Sequence, residues 1–124
     1  MKSEKTNTGR ATICIMADFG NGPYAWLRNP DSAFHVGPNI ADVISGFPSE
    51  YQISKELEKE FAEWVIIFEN NYDKDDFNWP SWEDKGISLT RKLKHEVGNA
   101  FIVEYHYPYE DSVAPDPPPI IVID

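Results

Sequence analysis

The stretch Ser54–Asn71, SKELEKEFAEWVIIFENN, decides the fold because it carries the strongest periodic pattern in the chain. Its large apolar residues recur at the spacing that places side chains on one face of an α-helix. Ser54 is suited to cap the first turn, and Glu56 lies near the positive end of the helix dipole. The pattern therefore predicts an amphipathic helix. The residues of its buried face are Leu57, Phe61, Trp64, Val65, Phe68 and Tyr72.

A second helix is predicted from about Ser81 to Val97. The residues Ser81–Asp84 resemble a capping box in which Asp84 replaces the usual Glu or Gln. Gly98 is a suitable stop, because glycine readily adopts the backbone conformation that ends helices. The apolar face of this helix comprises Trp82, Leu89, Leu93 and Val97.

Strand patterns lie on both sides of the helices. Thr12–Phe19 is apolar on both faces, which predicts a central strand, and the turn signal Gly20–Pro23 joins it to a possible second strand at Tyr24–Leu27. Ala100–Tyr107 alternates in polarity and predicts a further strand, while Ile120–Ile123 is suited to an edge strand. The sequence thus predicts an α+β fold, with a small sheet of two to four strands packed against two main helices.

A length of 124 residues predicts one domain. Residues 1–10 are polar and are expected to form a flexible arm, so that residues 11–124 make a single α+β domain with a Pro-rich connector at 111–119. Arg28–Phe47 is rich in Gly, Pro, Asn and Asp, which predicts a loop with one short element near Ile40–Ile44.

The charge balance limits the possible partners. Acidic residues outnumber basic ones by 21 to 11, a net charge of -10 that attracts basic proteins and repels nucleic acid and anionic membranes. The basic residues are scattered and the apolar runs are too short for a bilayer, so neither nucleic acid nor membrane is an expected partner. Cys14 is the only cysteine and the N-terminal residues lack an apolar signal core, which predicts a cytoplasmic location.

The acidic segment between the helices differs from a calcium-binding EF-hand loop at the positions that such a loop requires. In the register that starts at Asn71, the position that requires Gly holds Asp76, and the position of the bidentate Glu holds Trp82. In the register that starts at Asp73, Phe77 occupies a ligand position. His35, His95 and His106 have no metal-like spacing to one another or to the cysteine. The sequence therefore predicts no metal site and no cofactor.

No catalytic set is predicted either. Cys14 lies among apolar neighbours that would not lower its pKa, which favours a packing role. Glu104 and His106 share a strand face and could form an acid–base pair, although a half-exposed sheet face also explains them. Gly20–Gly22 lacks the spacing and the lysine of a phosphate-binding loop. The protein is therefore expected not to be an enzyme.

The first helix offers a more specific surface. Glu56, Glu60 and Glu63 fall along one flank of the helix with Ile67 among them, and carboxylates around an exposed apolar residue suit a basic protein partner. A solvated face, with its isoleucines covered by the same chain, is the alternative. The predicted partner-binding residues are Glu56, Glu60, Glu63, Ile67, Asp73, Asp75 and Asp76.

The segment Ala17–Trp26, ADFGNGPYAW, followed by the amphipathic helix Leu57–Phe68, resembles immunity proteins of bacterial contact-dependent growth inhibition and polymorphic toxin systems. The small size and the acidity agree with this. The resemblance implies a cytosolic, non-enzymatic inhibitor that binds a cognate toxin domain, often a nuclease, and blocks its active site. A nuclease is basic where it holds phosphates, so an acidic inhibitor can occupy that surface.

The sequence is also compatible with two other functions. A small hydrolase-like enzyme could use carboxylates such as Asp18, Asp42 or Glu104 in a cleft with Tyr24 and Trp26. A decoy that mimics nucleic acid would instead arrange its carboxylates like phosphates along one elongated face. The sequence makes no prediction of the oligomeric state.

Overall fold

The computed structural model describes residues 11–18, 24–28, 34–37 and 53–123. Residues 1–10, predicted to form a flexible arm, and the predicted element near Ile40–Ile44 lie outside the described residues. The elements in chain order are β1 (Ala11–Ile15), β2 (Ala25–Arg28), β3 (Phe34–Gly37), α1 (Lys55–Asn71), α2 (Trp79–Val97), a short 3₁₀ turn (Gly98–Ala100), β4 (Phe101–His106) and β5 (Ile120–Ile123).

The strands form one mixed sheet in the order β3-β2-β1-β4-β5. β1 is central, as its two apolar faces predicted, and it pairs antiparallel with β2 and parallel with β4. β3 and β5 pair antiparallel at the two edges. The parallel β1–β4 pair requires a crossover, and the chain between these strands includes both helices.

The α+β class is confirmed, but the described residues already form a sheet of five strands rather than two to four. The additional strand is β3, which lies in a segment predicted to be a loop and contains His35. It is only four residues long and is surrounded by Gly, Pro and Asn residues, so the alternating pattern of a strand could not be recognised in the sequence. A strand this short obtains its stability from pairing with β2 more than from its own sequence.

Helix α1 matches its predicted bounds. The Ser54 hydroxyl accepts a hydrogen bond from the backbone N–H of Leu57 at 3.2 Å, the expected N-cap. The Ser54 backbone N–H and hydroxyl each donate at 2.8 Å to the carboxylate of Glu96 near the end of α2. The start of one helix is thereby tied to the end of the other.

Helix α2 begins two residues earlier than predicted, and the predicted capping box at Ser81–Asp84 is wrong. The N-cap is Asn78, whose side-chain oxygen accepts from the backbone N–H of Ser81 at 3.1 Å. Pro80, which lacks an N–H, fits the first turn, where no intrahelical partner exists. The helix ends as predicted at Gly98, whose φ of 63° suits glycine.

Both helices contribute to a single buried cluster on one face of the sheet. Gly86 of α2 is required there, because an added Cβ would lie 2.5 Å from Trp64 Cζ2 and 2.6 Å from the Tyr105 hydroxyl. Neither helix of the described part of the chain has the length and hydropathy needed to cross a membrane. The sheet residues of the cluster include Ile13, Ile15, Leu27, Val103 and Tyr105.

Candidate functional site

The predicted partner-binding residues of α1 lie mostly on the solvent side of that helix. Glu56 and Glu63 are exposed, and among the described residues neither forms an ion pair. Ile66 and Ile67 are 55% and 47% exposed, large fractions for isoleucine in a folded domain. Within the described part of the chain, these two isoleucines are therefore largely uncovered.

Glu60 differs from its neighbours on the flank. Its carboxylate lies 3.2 Å from the Lys92 ammonium and 3.7 Å from that of Lys85, and both lysines belong to α2. Glu60 therefore links the two helices, and its charge is largely compensated. A sequence wheel of α1 alone could not show this, because the lysines come from another helix.

The three loop aspartates continue the acidic surface beyond the end of α1. Asp73, Asp75 and Asp76 are all exposed. Between residues 55 and 76 lie eight of the 21 acidic residues but only three of the 11 basic ones. We name this region the acidic helix surface, which comprises Glu56, Glu63, Ile66, Ile67, Asp73, Asp75 and Asp76.

A second polar cluster lies on the sheet face away from the helices. Cys14 of β1 pairs in register with Glu104 of β4, and His106 follows on the same face. One oxygen of Glu104, Oε1, lies 2.9 Å from His106 Nε2 and accepts from the Cys14 thiol at 3.7 Å. The other, Oε2, accepts from Arg28 Nη2 at 3.5 Å. The ligand-type atoms of Cys14, Glu104 and His106 all lie within 4.8 Å of one another, so these residues could hold a metal.

A pocket of about 370 Å³ opens beside this cluster. The Trp26 side chain contributes one wall and is held there, because its indole N–H donates to the Met16 carbonyl at 3.1 Å. The residues that line the pocket are Cys14, Met16, Trp26, His106, Tyr109 and Ile120.

The thiol of Cys14 is a poor nucleophile in this environment. Burial, reinforced by the Glu104 charge, raises the pKa of the thiol to about 12, so it stays protonated at neutral pH. Two residues of the hydrolase-like cleft proposed from the sequence, Tyr24 and Trp26, lie on opposite faces of the sheet. Tyr24 stacks on Phe61 in the helix-side core with ring centroids 5.0 Å apart, whereas Trp26 lines the pocket on the other face. Asp42 lies outside the described residues.

Sequence reasoning missed a buried acidic cluster beneath α2. Glu83 is only 2% exposed, and it accepts a hydrogen bond from the Tyr105 hydroxyl of β4. Burial, together with a hydrogen bond to Asp111, raises the pKa of Glu83 to about 9. As a neutral acid, Glu83 can donate to the Asp111 carboxylate from Oε2, an atom with no other hydrogen-bond partner among the described residues. Nothing in the local sequence signals this cluster, which is assembled by the packing of α2 on β4.

The comparison with known families bears on the function of these surfaces. A family model described as Serratia CdiI immunity protein-like matches residues 11–108, which include both helices and β1 through β4. No curated protein and no solved structure matches the chain. The match confirms the resemblance seen in the sequence and covers most of the chain. The protein therefore belongs to the Serratia CdiI immunity protein-like family.

Proposed function

We propose that this protein is a cytoplasmic, non-enzymatic inhibitor that binds a cognate toxin domain, a nuclease, through the acidic helix surface. Membership in an immunity protein family supports an immunity function against a toxin. The observation that carries the choice of surface is the pair Ile66 and Ile67, exposed on a helix whose other large apolar residues are buried.

Ile66 and Ile67 provide apolar surface that can be buried in a complex. Apolar area removed from water stabilises a complex by roughly 25 cal/mol per Å² before the costs of association are subtracted. Interfaces place such residues at the centre and polar residues at the rim. Ile66 and Ile67, adjacent on the solvent side of α1, fit the centre of a contact of this kind.

The carboxylates supply attraction and orientation. Glu56 and Glu63 are exposed on α1, and the loop aspartates extend the negative region past its C-terminal end. Such a region accelerates association with a basic surface and disfavours misoriented encounters. The phosphate-binding surface of a nuclease is basic, so an inhibitor docked there excludes the nucleic acid substrate.

Glu60 has a different part in this arrangement. Because it pairs with Lys85 and Lys92, it holds α1 against α2 and so helps to position the docking face. Reversing its charge would disturb the helix pair as well as the surface. Variants that test binding should therefore leave Glu60 intact.

The test is protection of cells that produce the cognate toxin domain. The wild-type chain should restore growth, and the double variant Glu56→Lys/Glu63→Lys should protect poorly at low production levels. The matched control is Asp84→Lys/Asp116→Lys, which reverses two exposed carboxylates outside the surface and raises the net charge by the same amount. Equal protection by both variants would show that the surface is misassigned, and no protection by the wild type would refute the immunity role.

A further inference from the structure

The parallel pairing of β1 with β4 brings three different metal-binding side chains together. Cys14 and Glu104 are register partners, and His106 is the next residue on the same face of β4. Each offers one ligand atom, and these atoms lie within 4.8 Å of one another. Thiolate, imidazole and carboxylate are the three ligand types that proteins use for zinc.

The spacing is close to that of a tetrahedral site. Zinc bonds of about 2.0–2.3 Å place neighbouring ligand atoms roughly 3.3–3.8 Å apart. Cys14 Sγ lies 3.7 Å from Glu104 Oε1, which in turn lies 2.9 Å from His106 Nε2. Small side-chain rotations would therefore bring all three atoms around one ion.

Arg28 holds the Glu104 carboxylate in an orientation that suits metal binding. It contacts Glu104 Oε2 at 3.5 Å, which leaves Oε1 directed at the thiol and the imidazole. Partners of this kind fix the orientation of metal ligands in characterised sites. The Glu104 side chain is only 14% exposed and that of His106 only 19%, so little water competes for the ligand atoms.

We propose that Cys14, Glu104 and His106 bind one divalent cation of the zinc type, which joins β1 to β4 on the sheet face away from the helices. The thiolate and the carboxylate together balance the two charges of the ion. Cys14 and His106 also line the pocket, so the fourth position faces that space and takes a water molecule.

Protons balance in the binding step. The Cys14 thiol is protonated at neutral pH in the metal-free protein; its sulfur bonds to the cation, which stabilises the thiolate, and the proton is released to solvent. The imidazole binds through Nε2 in its neutral form, with its remaining proton on Nδ1. No oxidant or reductant takes part, and binding to neutral imidazole releases one proton for each ion bound.

The sequence predicted no metal site because the candidate ligands have no metal-like spacing along the chain. Cys14 and Glu104 are 90 residues apart in sequence, and only the strand pairing makes them neighbours. The proposal concerns these sheet residues only. The prediction that Asp73–Asp76 do not form a calcium-binding loop is unaffected by it. The proposal is also independent of the proposed inhibition of a toxin.

The test titrates the reduced, metal-free full chain with Zn²⁺ by calorimetry at neutral pH, and with Co²⁺ by absorption spectroscopy. We expect one Zn²⁺ per chain and, with Co²⁺, the charge-transfer absorption of a cobalt–thiolate bond. Cys14→Ser should abolish that absorption. His106→Gln should weaken Zn²⁺ binding by more than the roughly 10–100-fold that loss of an outer-shell partner costs.

Two controls separate this site from adventitious binding. His95→Gln removes an exposed histidine of α2 and should leave the titration unchanged. Ca²⁺, which prefers about six to eight oxygen ligands, should not bind. Circular dichroism checks that each variant is folded. The proposal is overturned if the wild-type chain fails to bind Zn²⁺ at micromolar concentrations, or if Cys14→Ser and His106→Gln, both folded, bind it as the wild type does.

Discussion

Trp64 of α1 and Trp82 of α2 each donate their indole N–H to the backbone carbonyl of the other, at 3.1 Å and 3.0 Å. Their rings stack with centroids 4.4 Å apart and an interplanar angle of 5°. The two helices are therefore joined by a reciprocal pair of buried hydrogen bonds as well as by apolar contact. This pairing fixes the rotation of α1 and hence which of its residues face solvent.

Replacing Trp82 by Phe should destabilise the protein by about 1–3 kcal/mol, because it deletes one of these hydrogen bonds and part of the stacked area. Urea unfolding measures the change. Trp79→Phe is the matched control, since it deletes the same atoms from the same helix where no interhelical indole hydrogen bond is found among the described residues. An equal loss in both variants would show that the reciprocal bonds contribute nothing specific.

Gly86→Ala should also be destabilising, even though alanine favours helices over glycine by about 1 kcal/mol. The added methyl group would overlap the Trp64 and Tyr105 side chains, and such overpacking costs about 1–3 kcal/mol or more. The urea midpoint should therefore fall. Ser88→Ala, at an exposed position of the same helix, should change stability by less than about 0.5 kcal/mol. A Gly86→Ala protein more stable than wild type would contradict the close packing.

Glu83 should make stability fall as pH rises. Its pKa is raised from an ordinary value of 4.5 to about 9 in the folded protein. Between these values the folded state keeps a proton that the unfolded state has lost, so the free energy of unfolding decreases with pH. The contribution of this residue is at most about 1.4 kcal/mol per pH unit.

Glu83→Gln isolates that contribution. Glutamine can accept from Tyr105 and donate to Asp111 at every pH. The stability of the variant relative to wild type should therefore increase steadily between about pH 5 and pH 8. Urea unfolding at several pH values measures this difference. A difference that stays constant across the range would mean that Glu83 is already ionised in the folded state.

Local periodicity was enough to predict much of this fold. The stripe in Ser54–Asn71 predicts α1 and its buried face, and the two apolar faces of the first strand predict its central place in the sheet. Asn78 and Pro80, which set the true start of α2, were overlooked because Ser81 offered a competing cap. The edge strand β3 was missed because pairing with β2 stabilises a segment with a loop-like composition.

The candidate site was less accessible to sequence analysis. The helix period alone places Ile67 outside the buried face of α1, but it does not decide whether another part of the chain covers this residue. The pairing of Glu60 with Lys92, by contrast, depends on how two helices pack. The meeting of Cys14 with Glu104 depends on a parallel strand pair that no local pattern specifies.

The most direct test of the account is the association rate of the purified protein with its cognate toxin domain as a function of salt. Glu56→Lys/Glu63→Lys should slow association by at least about tenfold at low salt, and the difference should shrink as added salt screens the charges. Asp84→Lys/Asp116→Lys, with the same net charge, should associate at a rate close to wild type. The account is contradicted if both variants associate equally fast, or if the toxin domain shows no saturable binding to the wild-type protein.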